Sequence, residues 1–366
     1  FKKMAVKLAR PINYKSVANI NAHDFANTMQ DLKVNKKFAV ALSGGPDSLA
    51  LTLLSEQYAK EFGLKFITIG VDHSLRPEAK NEIKWVEKLM KRKKIKFISL
   101  KLKGKQSNSN IMANAREKRY ELLTQYCKKS KIPYLLTAHH LDDEIENFLM
   151  RLIRGSGIKG LSSSKRLFKY GKSGIYIVRP LLGFSKKALI KYLSLKKQSY
   201  IVDPTNKDSK FDRSRIRELT NKLIEEGLSK SRFANVLNNL KKAEIAIQNS
   251  LSNYGKNLIK ISDKSSLVIN IKEFIDIPEE IKFRLLSKII EYVSGQKKKP
   301  RAKSIINLMT MINQNEFKSI TLHDCIFIKE GNTFRVKLEE GRGKETKKKR
   351  QFIDFSKKGL SVFLSN

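Results

Sequence analysis

Three features of this 366-residue chain predict a doubly wound α/β domain built on a parallel sheet, followed by a helical domain and a small mixed α+β region. From Lys36 onward, short apolar runs alternate with amphipathic stretches of helical length, the pattern of strands covered by helices. The first strong apolar run passes directly into a glycine-rich turn and then a helix. Beyond Pro180 the strand signal fades and helical periodicity takes over.

The predicted strands are Phe38–Leu42, Phe66–Asp72, Lys96–Leu102, Tyr134–Ala138 and Ile175–Val178. Between them Ser48–Phe62, Glu78–Lys94, Ile111–Ser130 and Asp142–Arg154 read as helices. In the last of these Ile145, Phe148, Leu149, Leu152 and Ile153 recur at spacings of three and four, which predicts one apolar stripe against the sheet. Past Pro180, Lys186–Lys197, Ser214–Glu226 and Phe233–Ile259 are helical. A mixed segment follows from about Leu267, with helices at Glu279–Val293 and Lys303–Ile312 and strands at Ser319–Lys329 and Thr333–Lys337. The expected division is 1–212 for the α/β domain, 213–265 for the helical one and 266–366 for a basic mixed region. Gly341–Arg350 reads as a solvated basic run.

Lys and Arg number 75 against 35 Asp and Glu, a formal charge of +40. Such an excess predicts a polyanionic partner, because each neutralised phosphate releases condensed counterions. With 40% hydrophobic residues the chain has enough apolar material for a core, so a wholly disordered basic tail is excluded. Cys127 and Cys325 lie far apart with no C-x-x-C spacing, which argues against a disulfide framework or a cysteine-ligated zinc site. No run of about 18 apolar residues and no signal-peptide pattern occurs, so a cytoplasmic protein with no membrane partner is expected. The first residue is Phe1, so the natural start is expected upstream or at Met4. Oligomeric state is left open.

The chemistry is concentrated in Ser43-Gly44-Gly45-Pro46-Asp47-Ser48. A strand, a small glycine-rich turn and a helix N-terminus together form an anion cradle, since exposed amides and the helix dipole both favour phosphate. Gly44 and Gly45 permit close backbone approach, Ser43 and Ser48 add hydroxyls, and Asp47 is suited to hold a divalent metal against phosphates. The Lys that grips β- and γ-phosphates in a G-x-x-x-x-G-K-[ST] loop is missing. A cradle that holds pyrophosphate as a unit suits attack at the α-phosphorus instead.

S-G-G-P-D-S resembles the pyrophosphatase loop of the N-type ATP pyrophosphatases, the PP-loop family. Further segments narrow the resemblance: Val71-Asp72-His73-Ser74-Leu75-Arg76, Asn114-Ala115-Arg116-Glu117-Lys118-Arg119-Tyr120, Thr137-Ala138-His139-His140-Leu141-Asp142-Asp143-Glu144-Ile145-Glu146, and Arg154-Gly155-Ser156-Gly157. With Arg179-Pro180-Leu181-Leu182 and Asp203-Pro204-Thr205-Asn206, they resemble the tRNA(Ile)-lysidine synthetases over about residues 36–217. The chain departs from that family's usual residues at Ser74, Glu144, Asn147 and Ser214, where Gly, Gln, Thr and Asn are usual.

The resemblance implies a carbon–nitrogen ligase. ATP would adenylate the C2 oxygen of the wobble cytidine in a CAU-anticodon tRNA(Ile), and the ε-amine of free L-lysine would then displace AMP. It implies ATP at Ser43–Ser48, Asp72 and His73. Catalysis is expected from Asp47, His139, His140, Asp142, Asp143 and Glu146, and Mg²⁺ at Asp47 and Asp143. Clustered carboxylates can hold Mg²⁺, bind the lysine ammonium or take its proton, and either histidine can serve as base; the residue pattern does not distribute these roles. Arg76, Arg116, Arg119, Arg154, Arg213 and Arg217 are the expected tRNA contacts. Two other readings stand beside this one: a tRNA thiolase of the same ATP-cleaving group, which needs a reactive Cys or an iron–sulfur cluster, and a non-catalytic RNA-binding protein with a relic nucleotide loop.

Overall fold

A computed structural model describes residues 19–72, 79–102, 111–162, 164–171, 173–202, 212–263, 266–296, 300–339 and 364. The chain divides into two compact units, 1–242 and 243–366.

The first unit is the expected α/β domain. Its strands are β1 (Phe38–Ala41), β2 (Phe66–Asp72), β3 (Phe97–Lys101), β4 (Tyr134–Leu136), β5 (Leu167–Lys169) and β6 (Tyr176–Val178). They form one sheet in the order β3-β2-β1-β4-β6-β5, parallel except for β5. The chain walks outward from β1 to β3 and then returns to pair β4 on the other side of β1. That reversal is a topological switch point, and it opens a crevice between the loops that follow β1 and β4.

Every residue of β1 is buried, which explains its uninterrupted apolar run. On one face the core joins Phe25 and Met29 of α1 (Ala22–Asp31), Leu49 and Leu54 of α2 (Pro46–Glu61), Met90 of α3 (Ala79–Arg92), and Leu189 and Leu193 of α7 (Lys186–Leu195). On the other face Leu123 and Cys127 of α4 (Ile111–Lys129) pack on Ala39, Leu135 and Ile177.

Helix α5 (Leu141–Ile153) departs from expectation. Ile145, Phe148 and Leu149 are buried, but against Ile216 of α8 (Asp212–Glu225) and Phe233, Ala234 and Leu237 of α9 (Lys230–Leu258), not against the sheet. Leu152 and Ile153 are 50% and 65% exposed. The stripe therefore builds a satellite core with α8 and the start of α9. The division between the two compact units falls inside α9. A short α6 (Ile158–Leu161) follows, tied back by Arg151, which donates to the Gly160 carbonyl at 2.9 Å.

The second unit holds an antiparallel sheet in the order β7-β8-β11-β10-β9, made of β7 (Ile259–Asp263), β8 (Ser266–Asn270), β9 (Ser319–Leu322), β10 (Cys325–Glu330) and β11 (Thr333–Leu338). Its core is completed by α10 (Ile271–Ile275), α11 (Glu279–Ser294) and α12 (Ala302–Asn313). The single strand expected over Ser319–Lys329 is two strands, because His323 and Asp324 both adopt positive φ and close a tight hairpin between β9 and β10. Strand β7 occupies residues read as the end of a helix and the segment after it. The basic stretches 297–299 and 341–350 lie outside the described residues, and no described helix is long and apolar enough to cross a membrane.

Candidate active site

The loop after β1 has the form expected of an anion cradle. Ser48, in the first turn of α2, accepts from the Ser43 amide at 3.2 Å and donates to the Gly45 carbonyl at 3.1 Å. This leaves the Ser43 hydroxyl, 3.1 Å from the Ser48 oxygen, to donate to it. Gly45 caps the helix and Pro46 occupies its first turn, where a missing amide costs nothing. Gly44 has φ +90°, and a Cβ there would fall 2.6 Å from Ile201 Cδ1 and 2.8 Å from Val86 Cγ2. Glycine is thus required twice over, by backbone conformation and by packing. Asp72 is buried at the end of β2, the strand that pairs with β1.

Across the switch point, β4 ends in Thr137-Ala138-His139-His140, with His140 as N-cap of α5. Its amide donates to Asp143 Oδ2 at 3.1 Å. The imidazole is buried among three carboxylates: Nε2 lies 3.6 Å from Asp47 Oδ2 and 3.7 Å from Asp143 Oδ2, and Nδ1 lies 3.7 Å from Asp142 Oδ2. Burial works against a charge here, but Asp143, Asp47 and Asp142 outweigh it and raise His140 above the usual histidine value. His140 thereby joins the phosphate loop to the acidic start of α5.

The neighbouring histidine is the opposite case. Arg116 donates to His139 Nε2 at 2.8 Å, so the neutral ring carries its proton on Nδ1, which faces Thr137 Oγ1 at 3.1 Å. Burial, with Arg179, Arg116 and Arg119 alongside, pushes His139 down to about 2. Its basic lone pair is occupied, which leaves His140 as the histidine with proton affinity.

The four acidic residues of α5 have different partners. Asp142 accepts from the Lys186 amide at 2.8 Å and pairs with Lys230; burial would raise its pKa, but these two partners hold it below the carboxylate range. Glu144 is buried and pairs with Lys241 at 3.0 Å; burial lowers Lys241 more than Glu144 restores it. Glu146 accepts from Arg217 Nε at 2.6 Å, a bond that raises Arg217, while Glu146 Oε2 is buried without a hydrogen-bond partner among the described residues. Asp143 closes the helix cap and faces His140.

Of the expected site residues, the structure therefore brings together Asp47, His140, Asp142 and Asp143, with Glu146 held by Arg217. Arg116 and Arg119 are placed at His139. Arg154, at the C-cap of α5, is exposed and away from these contacts. His73, Arg76 and the side chain of Arg213 lie outside the described residues. Lys230 and Lys241 were not anticipated: they are two lysines among many on an amphipathic helix, with no motif to mark them.

For a metal, no group of three or more His, Cys, Asp or Glu among the described residues is arranged as a protein-only cage. Mg²⁺ held by one or two carboxylates and substrate phosphates needs less. Asp47 fits that demand, since its Oδ1 is buried without a hydrogen-bond partner among the described residues.

Residues 16–223 match the family model described as "PP-loop domain". A tRNA(Ile)-lysidine synthase of Wolbachia pipientis wMel is 35% identical over 315 residues, covering 85% of this chain and 72% of that protein. One from Rickettsia typhi is 33% identical, covering 84% and 70%. The chain belongs to the tRNA(Ile)-lysidine synthase family. Among solved structures, the U34-tRNA thiolase NcsA from Methanococcus maripaludis with its [4Fe-4S] cluster superposes with a TM-score of 0.52 at 21% identity, covering 60% of this chain and 78% of that one. That likeness is one of fold. Where a thiolase needs a reactive sulfur, this synthase-family chain has two buried thiols, Cys127 and Cys325, both pushed up to about 12 chiefly by burial.

Proposed function

We propose that this chain makes lysidine at the wobble cytidine of a CAU-anticodon tRNA(Ile), using ATP and free L-lysine. The observation that carries the reading is His140, buried 3.6 Å from Asp47 of the phosphate loop and 3.7 Å from Asp143 of α5. It makes the phosphate site and the acidic site one crevice, as a reaction that first adenylates and then accepts an amine requires.

The cytidine C2 oxygen attacks the α-phosphorus, and the bond to pyrophosphate breaks. Gly44, Gly45 and the first turn of α2 hold the phosphates as a unit and offer amides to the charge that develops there. The oxygen now carries AMP as a leaving group. The lysine ε-amine forms the new bond to C2, the C2–O bond breaks, and the amine proton passes to a carboxylate of the cluster. Asp142 is engaged by Lys230 and the Lys186 amide, and Asp143 by the His140 amide, so Glu146 Oε2, buried without a hydrogen-bond partner among the described residues, is the acceptor left for the ammonium. Asp47 and Asp143 would hold Mg²⁺, which when bound neutralises phosphate charge.

A wobble base must leave the anticodon stack to reach this crevice. The charge of +40 supports a tRNA partner, with the helical region and the basic C-terminal region holding the tRNA body. Glu146→Gln tests the division of labour: the KM for lysine rises about tenfold or more while tRNA-dependent pyrophosphate release persists. Loss of pyrophosphate release with unchanged lysine KM would refute it.

A further inference from the structure

Arg179 follows β6 and has no part in the chemistry described above. Its guanidinium lies over the Phe168 ring at 5.0 Å from the centroid, and its Nε is buried without a hydrogen-bond partner among the described residues. Arg116 is held in a similar way, over Tyr120 at 5.6 Å, and the Tyr120 ring stacks on Tyr170 at 5.5 Å. Arg119 completes a cluster around His139; burial and the adjacent Arg116 both lower its pKa. Among the described residues none of these three arginines donates a hydrogen bond to a carboxylate. All three guanidinium groups face His139 and Arg116 bears on Arg119, so this wall is strongly positive, and an oxyanion among them would offset that charge.

Strand order says where this oxyanion lies. The phosphate loop follows β1 and Asp72 ends β2, whereas Arg179 follows β6, which pairs with β4 on the far side of β1. An anion at Arg179 is therefore on the opposite side of the histidine pair from the phosphates of ATP.

We propose that Arg179, with Arg116 and Arg119, forms a site for a backbone phosphate of the tRNA strand beside the cytidine being modified, and that Arg179 is a substrate-binding residue. The proposal rests on the tRNA reading of the crevice. Phe168 and Tyr120 fix the planes of two guanidinium groups before the strand arrives, so little side-chain freedom is lost on binding.

The test is a titration of the full chain with CAU-anticodon tRNA(Ile) between 50 and 200 mM salt, together with the KM for ATP. Arg179→Met should weaken tRNA binding about tenfold at low salt and flatten the salt slope by roughly 0.7, as expected for one lost contact to a single strand. The KM for ATP should stay within about twofold. Arg179→Lys keeps the charge but not the planar fork, so it should retain the slope with part of the affinity. Wild-type affinity and slope in Arg179→Met would overturn the proposal. So would a raised ATP KM with tRNA binding intact, which would put the guanidinium on the phosphates of ATP. If Arg179→Met loses both ligands, Arg179→Lys decides: a recovered slope upholds the site, and equal failure overturns it. Wild-type tRNA binding without lysine transfer would refute the functional reading, while the Arg179 comparison would still be readable.

Discussion

Lys241→Met should be among the most destabilising single changes in the first unit. Glu144 is 2% exposed and its partner Lys241 13% at the side chain, with the ammonium 3.0 Å from the carboxylate. Removing the lysine leaves a carboxylate in the satellite core between α5 and α9. Breaking such a buried pair costs about 3–5 kcal/mol, because the carboxylate keeps its desolvation cost and loses its ammonium. For a unit of this size each kcal/mol moves the melting temperature by about 2–4 °C, so a drop of roughly 6–20 °C is expected. Replacing both residues by apolar ones of similar volume removes both charges, and Glu144→Met/Lys241→Met should recover most of the loss. The assay is thermal unfolding of the four members of the double-mutant cycle. A Lys241→Met variant within about 1 kcal/mol of wild type would show that Glu144 does not depend on Lys241. A double variant whose loss equals the sum of the single losses would show the same.

Gly44→Ala should abolish ATP-dependent pyrophosphate release, since its Cβ would meet Ile201 at 2.6 Å and sit at φ +90°; retention of half the wild-type rate would show that the cradle tolerates displacement. His139, pushed down to about 2, should remain neutral and show no NMR titration between pH 4 and 8, whereas Arg116→Met should raise its pKa toward the ordinary value. A wild-type His139 titrating near 6.5 would contradict its burial and the bond from Arg116 to its Nε2. Cys127 and Cys325, buried and pushed up to about 12, should resist alkylation at pH 8 until the chain unfolds; rapid native labelling would revive the sulfur-transfer reading.

The sheet was legible because β1 is buried on both faces and spells an unbroken apolar run, and because Ser43-Gly44-Gly45 can be little other than a tight strand-to-helix turn. Periodicity located α5 but not its partner. Ile145, Phe148 and Leu149 would read the same whether they faced a sheet or two helices, and only tertiary packing placed them against Ile216 and Phe233. The short edge strand β5, three residues long, carries too little pattern to be seen. At the site, sequence grouped Asp142, Asp143 and Glu146 as equals. The structure separates them, giving Asp142 to Lys230 and Glu146 to Arg217, because both partners arrive from helices more than 70 positions away. Likewise the two histidines, adjacent in sequence, are driven in opposite directions: burial and then the arginines lower His139, while carboxylates outweigh burial and raise His140.

Lysidine formation itself is measured by ATP-dependent transfer of labelled lysine to a CAU-anticodon tRNA(Ile), with a tRNA carrying a different wobble base as control. Lysine should be incorporated with release of pyrophosphate and AMP, and incorporation should be abolished in the control tRNA. Pyrophosphate release without lysine incorporation would contradict the assignment of the acidic cluster to an amine, and no ATP cleavage with any tRNA would contradict the enzyme reading altogether.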